Sequence, residues 1–267
     1  MSDIKILNLA AYEQPEIKED TRNEWVEYGE ANDYYNFLIA RSRKSTTNSA
    51  VINNISRLIY GRGLHAMDAA RKPSQYAAMR SIFSAECLRK VIKELKMLGA
   101  GHFQVHYDEK HTKVIKAYHI PTNLIRPEKC NEDGDVEGYY YSDNWEDTRK
   151  FAPKRIPAFG TSKEKIEILC IKDYAVGVKY FGEIDYLAAV PYAILEEEIS
   201  DYLINEVQNG FSGTKVVNFN NGVPDQEKQE EVSRKVLNKL TGSRGQKVIV
   251  AFNNNAESKT TIDDIPL

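Results

Sequence analysis

The sequence lacks a long apolar run, a secretion signal and any paired-cysteine motif. No stretch approaches the roughly 18 to 20 apolar residues that a membrane-spanning helix needs. The N-terminus, MSDIKILNLAAYEQPEIKED, has no basic segment leading into an apolar one. Cys87, Cys130 and Cys170 are far apart and form no CxxC pair, which argues against a disulfide scaffold and a zinc ribbon. These absences predict a protein with reduced thiols that is made or assembled in a cytoplasm.

Familiar catalytic motifs are also missing. There is no G-x-S-x-G elbow, no P-loop and no H-E-x-x-H pair. The segment Leu98–Gly101 is glycine-rich, but it lies between a helix pattern and a strand pattern, the reverse of the order in a dinucleotide site. Asp133 and Asp135 lack the spacing of an EF-hand loop. The sequence therefore predicts no enzyme, no cofactor and no metal.

The histidines leave one alternative open. His102 and His106 would share one face of a predicted strand, with His111 across a turn and His119 in the next strand. Two histidines on one strand face can ligate zinc, but a catalytic site needs a third protein ligand and supporting groups around it. Ordinary sheet histidines are the simpler interpretation, and a metal-dependent enzyme using His102, His106 and His119 is the alternative.

The net charge indicates little about the function of the protein. The chain carries a formal charge of −3, which argues against a uniformly basic surface wrapped around nucleic acid. Hydrophobic residues make up 42% and charged residues 28%, as in an ordinary globular protein. A local basic patch, or a channel wall that avoids gripping nucleic acid, remains compatible with this composition.

Helical periodicity dominates the first hundred residues. A first helix is predicted over 23–43, after a loose polar arm. Ser45 or Thr46 can cap a second helix, which Gly61 would end, and a third and longest helix is predicted over 74–98. The predicted packing stripe of the second helix consists of Ile52, Ile55 and Ile59.

The period then changes to two, which indicates strands. Alternating or apolar segments rich in β-branched and aromatic residues occupy 102–107, 114–120, 138–143 and 165–173. Residues 131–135 contain Asp-Gly, a favoured hairpin dipeptide. Helices followed by a mostly antiparallel sheet predict an α+β fold.

A long helix and a small β-α-β unit complete the chain. The helix is predicted over 191–209 and ends at Gly210, with a packing stripe of Leu195, Ile199, Tyr202 and Val207. The β-α-β unit is predicted from a strand over 214–219, an Asn221-Gly222 turn, a helix over 225–240 and a strand over 246–252.

Two charge patterns accompany these elements, and a solvated helix face is the simplest interpretation of each. The long helix crowds acidic residues into two turns, where like charges four residues apart destabilise by a few tenths of a kcal/mol. These residues are Glu196, Glu197, Glu198 and Asp201. The last helix and the turn after it carry a basic cluster formed by Lys228, Arg234, Lys235, Lys239, Arg244 and Lys247.

The run over 180–222, YFGEIDYLAAVPYAILEEEISDYLINEVQNGFSGTKVVNFNNG, strongly resembles a stretch of tailed-phage portal proteins. Upstream, IYGRGL (59–64), GAGHFQV (99–105) and HIPTNLIRPEK (119–129) are similar to the wing region of that family. The resemblance implies an N-terminal arm over 1–24, a wing over 25–187, a stem helix over 188–210 and a clip over 211–267. It also implies that the C-terminal half of the family fold is missing from this chain.

The same resemblance implies a function. A phage or prophage portal subunit forms a ring, expected to be a dodecamer, at one capsid vertex of the virion, and double-stranded DNA is packaged and ejected through it. The implied partners are terminase, the head-completion or adaptor proteins and the major capsid protein, with no membrane. Another phage head or adaptor protein is the alternative of similar shape.

The charged residues acquire expected roles from this resemblance. The stem-helix acids are expected to face the channel or the neighbouring subunit, and the clip cations the packaging motor or adaptor. The first set is Glu196, Glu197, Glu198 and Asp201, and the second is Lys235, Lys239, Arg244 and Lys247.

Overall fold

The computed structural model describes residues 15–174, 176–208, 214–219, 224–240, 248–252 and 261–265. The chain divides into two compact units, Met1–Glu196 and Glu197–Leu267. Within the described ranges, no helix combines the length and the apolar character that crossing a membrane requires. The domain boundaries implied by the resemblance stay predictions.

The first predicted helix is half wrong. Strand β1 (Ile17–Lys18) pairs antiparallel with strand β2 (Glu27–Tyr28), and helix α1 (Tyr34–Lys44) begins only after them. The Val26 amide donates to the Pro127 carbonyl at 2.9 Å. Pairing with distant backbone therefore overrides the helical spacing of the aromatic residues in this segment.

Helix α2 (Thr46–Tyr60) matches the prediction at both ends. The Ser45 hydroxyl accepts from the Asn48 amide at 3.1 Å, and Gly61 ends the helix with a φ of 48°. Its packing stripe is only partly correct, because Ile52 is buried while Ile55 and Ile59 are exposed.

The third predicted helix is two helices, α3 (Pro73–Ile82) and α4 (Ala85–Leu98). Phe83 leaves the helical conformation and bridges Ala117 of the sheet, and the Ser84 hydroxyl then caps α4 by accepting from the Cys87 amide at 3.3 Å. Gly99 ends α4 in the left-handed conformation, with a φ of 76°. The apolar spacing continues through this region, so it did not reveal that the contact of Phe83 with the sheet interrupts the helix.

Two antiparallel sheets confirm the α+β class. In the first, β3 (Ala100–Tyr107) lies between β4 (Val114–Ile120) and the later strand over Ile166–Lys172. The second consists of β5 (Ile125–Pro127), β6 (Gly138–Tyr141) and β7 (Lys154–Pro157), so the Ile166–Lys172 strand is β8. The predicted Asp-Gly turn joins β5 and β6, where the Gly134 amide donates to the Asn131 carbonyl at 3.0 Å. Strands β5 and β7 were not predicted.

The core of the first unit lies between its helices and its sheets. One cluster joins α4 to the first sheet through Cys87, Val91, Phe103, Val105 and Ala117. A second cluster packs α1 against residues that precede the long helix, and the rings of Tyr28 and Phe181 stack at 4.2 Å between centroids. The segment leading into the long helix is therefore part of this core.

The long helix is α5 (Val190–Gln208), which continues from the first unit into the second. In the second unit, β9 (Thr214–Phe219) pairs in parallel with β10 (Val248–Phe252), and α6 (Gln226–Leu240) connects them, as predicted. A further strand, β11 (Thr261–Ile265), pairs antiparallel with β9 and was not predicted. The predicted turns at Asn209-Gly210 and Asn221-Gly222 lie outside the described residues.

Candidate functional site

The start of α5 is fixed to α4 by polar contacts. The Tyr186 hydroxyl donates to the Met97 carbonyl at 2.7 Å. The Lys96 ammonium lies 2.7 Å from the Asp185 carboxylate and 3.1 Å from that of Asp173. Val190, the first residue of α5, is buried. The first turns of α5 thus have a defined position in the first unit.

Glu196 attaches α5 to the N-terminus of α2. Its carboxylate accepts hydrogen bonds from the hydroxyls of Ser45 and Thr46, and from the Thr47 amide at 3.2 Å. These donors lower the pKa of Glu196 to about 2, and the hydroxyls of Ser45 and Thr46 contribute most. An acidic group at this end of a helix also interacts favourably with the helix dipole. Glu196 therefore makes its contacts within its own chain.

The other three predicted acids differ from one another. Glu197 is buried, with 6% of its surface accessible, whereas Glu198 and Asp201 are exposed. The sequence pattern treated the four acids as one face, and the structure separates them. Glu198 and Asp201 keep the exposure that an intermolecular role requires.

The apolar stripe predicted to pack α5 is instead exposed, and this part of the prediction is wrong. The four predicted packing residues retain about half of their accessible surface, at 51% for Leu195, 49% for Ile199, 50% for Tyr202 and 60% for Val207. Tyr192, Leu203 and Ile204 on the same helix are exposed too. A helix with this much apolar surface outside the core is unusual for an isolated chain.

Only part of the predicted basic cluster can be placed. Lys235 is exposed on α6, and its ammonium lies 2.6 Å from the Glu231 carboxylate, one turn earlier. Lys239 lies in the last turns of α6, and Arg244 and Lys247 lie outside the described residues. The role predicted for the four cations stays a prediction.

The histidines do not form the alternative metal site. His119 pairs with Phe103 across the sheet, so it lies on the opposite face from His102 and His106. His119 Nε2 lies 2.9 Å from the Glu94 carboxylate. In the parts of the chain that the structure describes, no group of three or more histidine, cysteine, aspartate or glutamate residues could hold a metal ion. The proposed ligand trio is therefore wrong.

His102 has a structural environment instead. It is buried, with Nδ1 2.9 Å from the Thr122 hydroxyl and its ring edge-on to Tyr139 at 5.6 Å between centroids. Burial, and to a smaller extent positive charge nearby, lowers the pKa of His102 to about 3. His102 is thus a neutral core residue near neutral pH.

One feature was missed by the sequence reasoning, a groove of about 530 Å³ between α2 and α4. Arg57, Arg89 and Lys93 line this groove together with Asn53 and Tyr60. The Arg89 guanidinium lies over the Tyr60 ring, 4.4 Å from its centroid. Its signal was present in the sequence, because residues 34–98 carry twelve lysines and arginines but three aspartates and glutamates. The net charge of −3 concealed this local excess.

No protein-family model matches the chain, and no curated protein sequence matches it. The fold is similar to that of a chain in the neck of an empty gene transfer agent particle, computed with C6 symmetry. That alignment has a TM-score of 0.52 and 14% identity, and covers 86% of this chain and 62% of the other. At this identity the likeness shows a shared α+β fold.

Two further similar chains come from the virion of the native gene transfer agent particle and from its neck, computed with C12 symmetry. Each aligns with a TM-score of 0.43 and 14% identity, over 72% of this chain and 51% of the other. The chain thus spans between half and two thirds of the length of the solved chains it resembles.

Proposed function

We propose that this chain is a structural subunit of a phage or phage-like particle, and more specifically a portal subunit that forms a ring at the capsid vertex. Double-stranded DNA would be packaged and ejected through this ring. The observation that carries the proposal is the exposed apolar stripe of α5. The shared fold with a particle neck chain and the ordered portal-like motifs support it.

The stripe has the spacing of a helix–helix contact. Tyr192, Leu195, Ile199 and Tyr202 follow one another at intervals of three and four residues, as in a seam that packs against another helix. Burying an apolar side chain fully stabilises an assembly by roughly 1.5 to 3 kcal/mol. A second copy of the chain is the partner that the proposal assigns to this seam.

Ring formation follows if the contact between copies is head-to-tail. A heterologous contact of this kind closes into a ring when its rotation divides a full turn. The neck to which the similar chain belongs was computed with C6 symmetry, and this supports a rotational assembly for the fold. A dodecamer is the number that we propose.

The exposed acids fit a channel or an intersubunit face. Proteins hold DNA by neutralising its phosphates, so a carboxylate surface repels the duplex and lets it slide. We assign this role to Glu198 and Asp201, which are exposed on α5. Lys235, with Lys239, Arg244 and Lys247, is proposed to face terminase or an adaptor protein, and the chain itself is proposed to have no catalytic activity.

The test is the assembly state of the protein expressed from its complete reading frame, measured by negative-stain electron microscopy and native mass spectrometry. We expect rings of twelve with a central hole. Ile199→Lys should abolish them, because it places a charge in the apolar seam. Met67→Lys is the matched control, since Met67 is fully exposed outside the helices and strands, and it should leave the rings intact.

Each other outcome decides against part of the proposal. Monomers from the unaltered protein at micromolar concentration would overturn the ring, and rings that persist in a folded Ile199→Lys variant would overturn the role of the seam. Rings with a different subunit number would favour the adaptor alternative over the portal.

A further inference from the structure

We propose that the groove between α2 and α4 binds the phosphate backbone of double-stranded DNA. The residues that line it belong to α2, to α4 and to Gly61, so they differ from the acids of α5 and from the basic cluster predicted in the second unit. The identity of the nucleic acid rests on the proposed function, whereas the phosphate chemistry rests on the groove itself. The groove would hold DNA in place, whereas the acids of α5 are proposed to let DNA slide.

The groove collects cations that have no acidic partner. Arg57, Arg89 and Lys93 are exposed, and in the part of the chain that the structure describes none has a carboxylate within 4.0 Å. Other cations of the same helical segment are paired. Lys72 lies 3.4 Å from Asp68, Lys90 lies 2.6 Å from Glu86, and Lys96 contacts Asp173 and Asp185. These ion pairs neutralise part of the positive charge outside the groove, whereas the three cations of the groove stay available.

The geometry suits phosphate oxygens. Arg57 and Arg89 bring two guanidinium groups to one cavity, and a guanidinium can donate two parallel hydrogen bonds to one phosphate. The Tyr60 ring supports the Arg89 guanidinium from one face, which limits the orientations that this fork can take. Arg89 and Lys93 are one helical turn apart, about 6 Å along the axis of α4. The groove therefore offers cations at more than one point along an extended anion.

The basic surface continues beyond this cavity. Lys93 also lines an adjoining groove of about 170 Å³, which contains Arg43. Arg43 is exposed and, like the three cations above, has no carboxylate within 4.0 Å among the described residues. A path of cations thus runs from Arg57 and Arg89 over Lys93 to Arg43, and an extended polyanion can follow it.

A nucleic acid fits this path better than an acidic protein does. Protein interfaces depend on apolar and aromatic anchors in well-packed pockets. Apart from Gly61 and Tyr60, the side chains that line the main groove are polar or cationic, and the Tyr60 ring is covered by Arg89. Residues 34–98 carry a formal charge of +9 in a chain whose total is −3. This separation of charge is the footprint expected for binding a phosphate backbone.

The test compares two variants that lose the same charge. The groove variant is Arg57→Gln, Arg89→Gln and Lys93→Gln, and the control variant is Arg71→Gln, Arg80→Gln and Lys90→Gln from the same segment. Binding of a fluorescent duplex of random sequence is measured by anisotropy between 50 and 200 mM salt, with circular dichroism to confirm folding. Competition is measured with inorganic phosphate and with polyglutamate.

We expect the groove variant to lose at least tenfold in affinity, and the control variant less than threefold. The slope of log affinity against log salt should fall by about 2 to 3 in the groove variant, because each phosphate contact contributes roughly 0.9. Equal losses in both variants would overturn the site in favour of diffuse attraction. If the protein binds inorganic phosphate but no duplex at 50 mM salt, the ligand of the groove is free phosphate and the assignment to a nucleic acid is overturned. Polyglutamate binding as tightly as the duplex would overturn the assignment in favour of an acidic protein.

Electron microscopy of the same variants separates this inference from the proposed function. If rings form normally but bind no duplex through the groove, the DNA-binding site is overturned and the proposed portal function stands. If the chain forms no rings yet binds duplex through the groove, the proposed function is overturned and the DNA-binding site stands.

Discussion

Gly99 and Gly182 meet backbone to backbone at the end of α4. A Cβ atom built on Gly182 would lie 2.0 Å from the Gly99 carbonyl oxygen, and one built on Gly99 would lie 2.6 Å from the Gly182 carbonyl oxygen. Both obstacles are main-chain atoms, which cannot rotate away as a side chain can. This contact joins the end of α4 to the segment that leads into α5, so the position of the start of α5 in the first unit depends on it.

Gly182→Ala should therefore destabilise the protein by about 2 to 3 kcal/mol, because overpacking forces backbone to move. Gly134→Ala is the control, since Gly134 has a positive φ of 91° but nothing within 4 Å of the added Cβ. Its expected loss is roughly 1 kcal/mol, from the left-handed conformation alone. Urea unfolding measures both, and equal losses would show that the close approach is not a constraint.

Glu196→Gln should change how stability depends on pH. The pKa of Glu196 is lowered from 4.5 to about 2, so its carboxylate contributes stability above about pH 4.5, and this contribution is lost as pH falls towards 2. The difference in unfolding free energy between the unaltered protein and Glu196→Gln should be constant above about pH 5 and should shrink below about pH 4.5. Urea unfolding at pH 7, 5, 4 and 3 measures it.

Glu198→Gln is the matched control on the same helix, because Glu198 is exposed. We expect its unfolding free energy at pH 7 to stay close to that of the unaltered protein. A difference for Glu196→Gln that stays constant down to pH 3 would contradict the hydrogen-bonded carboxylate at the start of α2.

Arg126→Met should be strongly destabilising. The Arg126 guanidinium is buried, donates to the carbonyls of Asn32, Asn123 and Ile125 at 2.7 to 3.0 Å, and also bonds the Asn32 side chain. Burial lowers the pKa of Arg126 to about 10, so it stays charged at neutral pH. An unsatisfied buried acceptor costs about 1 to 3 kcal/mol, so we expect a total loss of about 3 kcal/mol or more.

The control for this variant is Arg22→Met, because Arg22 is exposed and its surface ion pair with Asp20 is screened by solvent and contributes little to stability. Thermal unfolding of both variants measures the difference. A Tm for Arg126→Met within about 2 °C of that of Arg22→Met would contradict the assigned network.

Zinc should not bind stoichiometrically to the sheet histidines. His119 is on the opposite face from His102 and His106, and His102 is held in the core beside Thr122. Isothermal titration with zinc should therefore show no site that His102→Ala removes. One equivalent of zinc bound with micromolar affinity, and lost in both His102→Ala and His119→Ala, would restore the metal-site alternative.

Local sequence alone determined the elements whose signals act over a few residues. The limits of α2 followed from Ser45 and Gly61, the Asp-Gly turn from residues 131–135, and the β-α-β order of the second unit from its alternating patterns. Caps and turns bond atoms within about four residues of one another, so they can be read without knowing the fold. The α+β class followed from the change of period near Gly101.

Only the tertiary structure decided which sides of these elements are covered. Phe83 divides the third predicted helix because it bridges Ala117, and Asn23–Asp33 leaves the helical pattern because its backbone pairs with other segments. The apolar stripe of α5 is exposed, while Glu196 bonds the start of α2. Spacing along a helix shows that an apolar face exists, but the partner that covers it comes from distant residues or from another chain. That physical difference separates what this sequence determines locally from what required the whole fold.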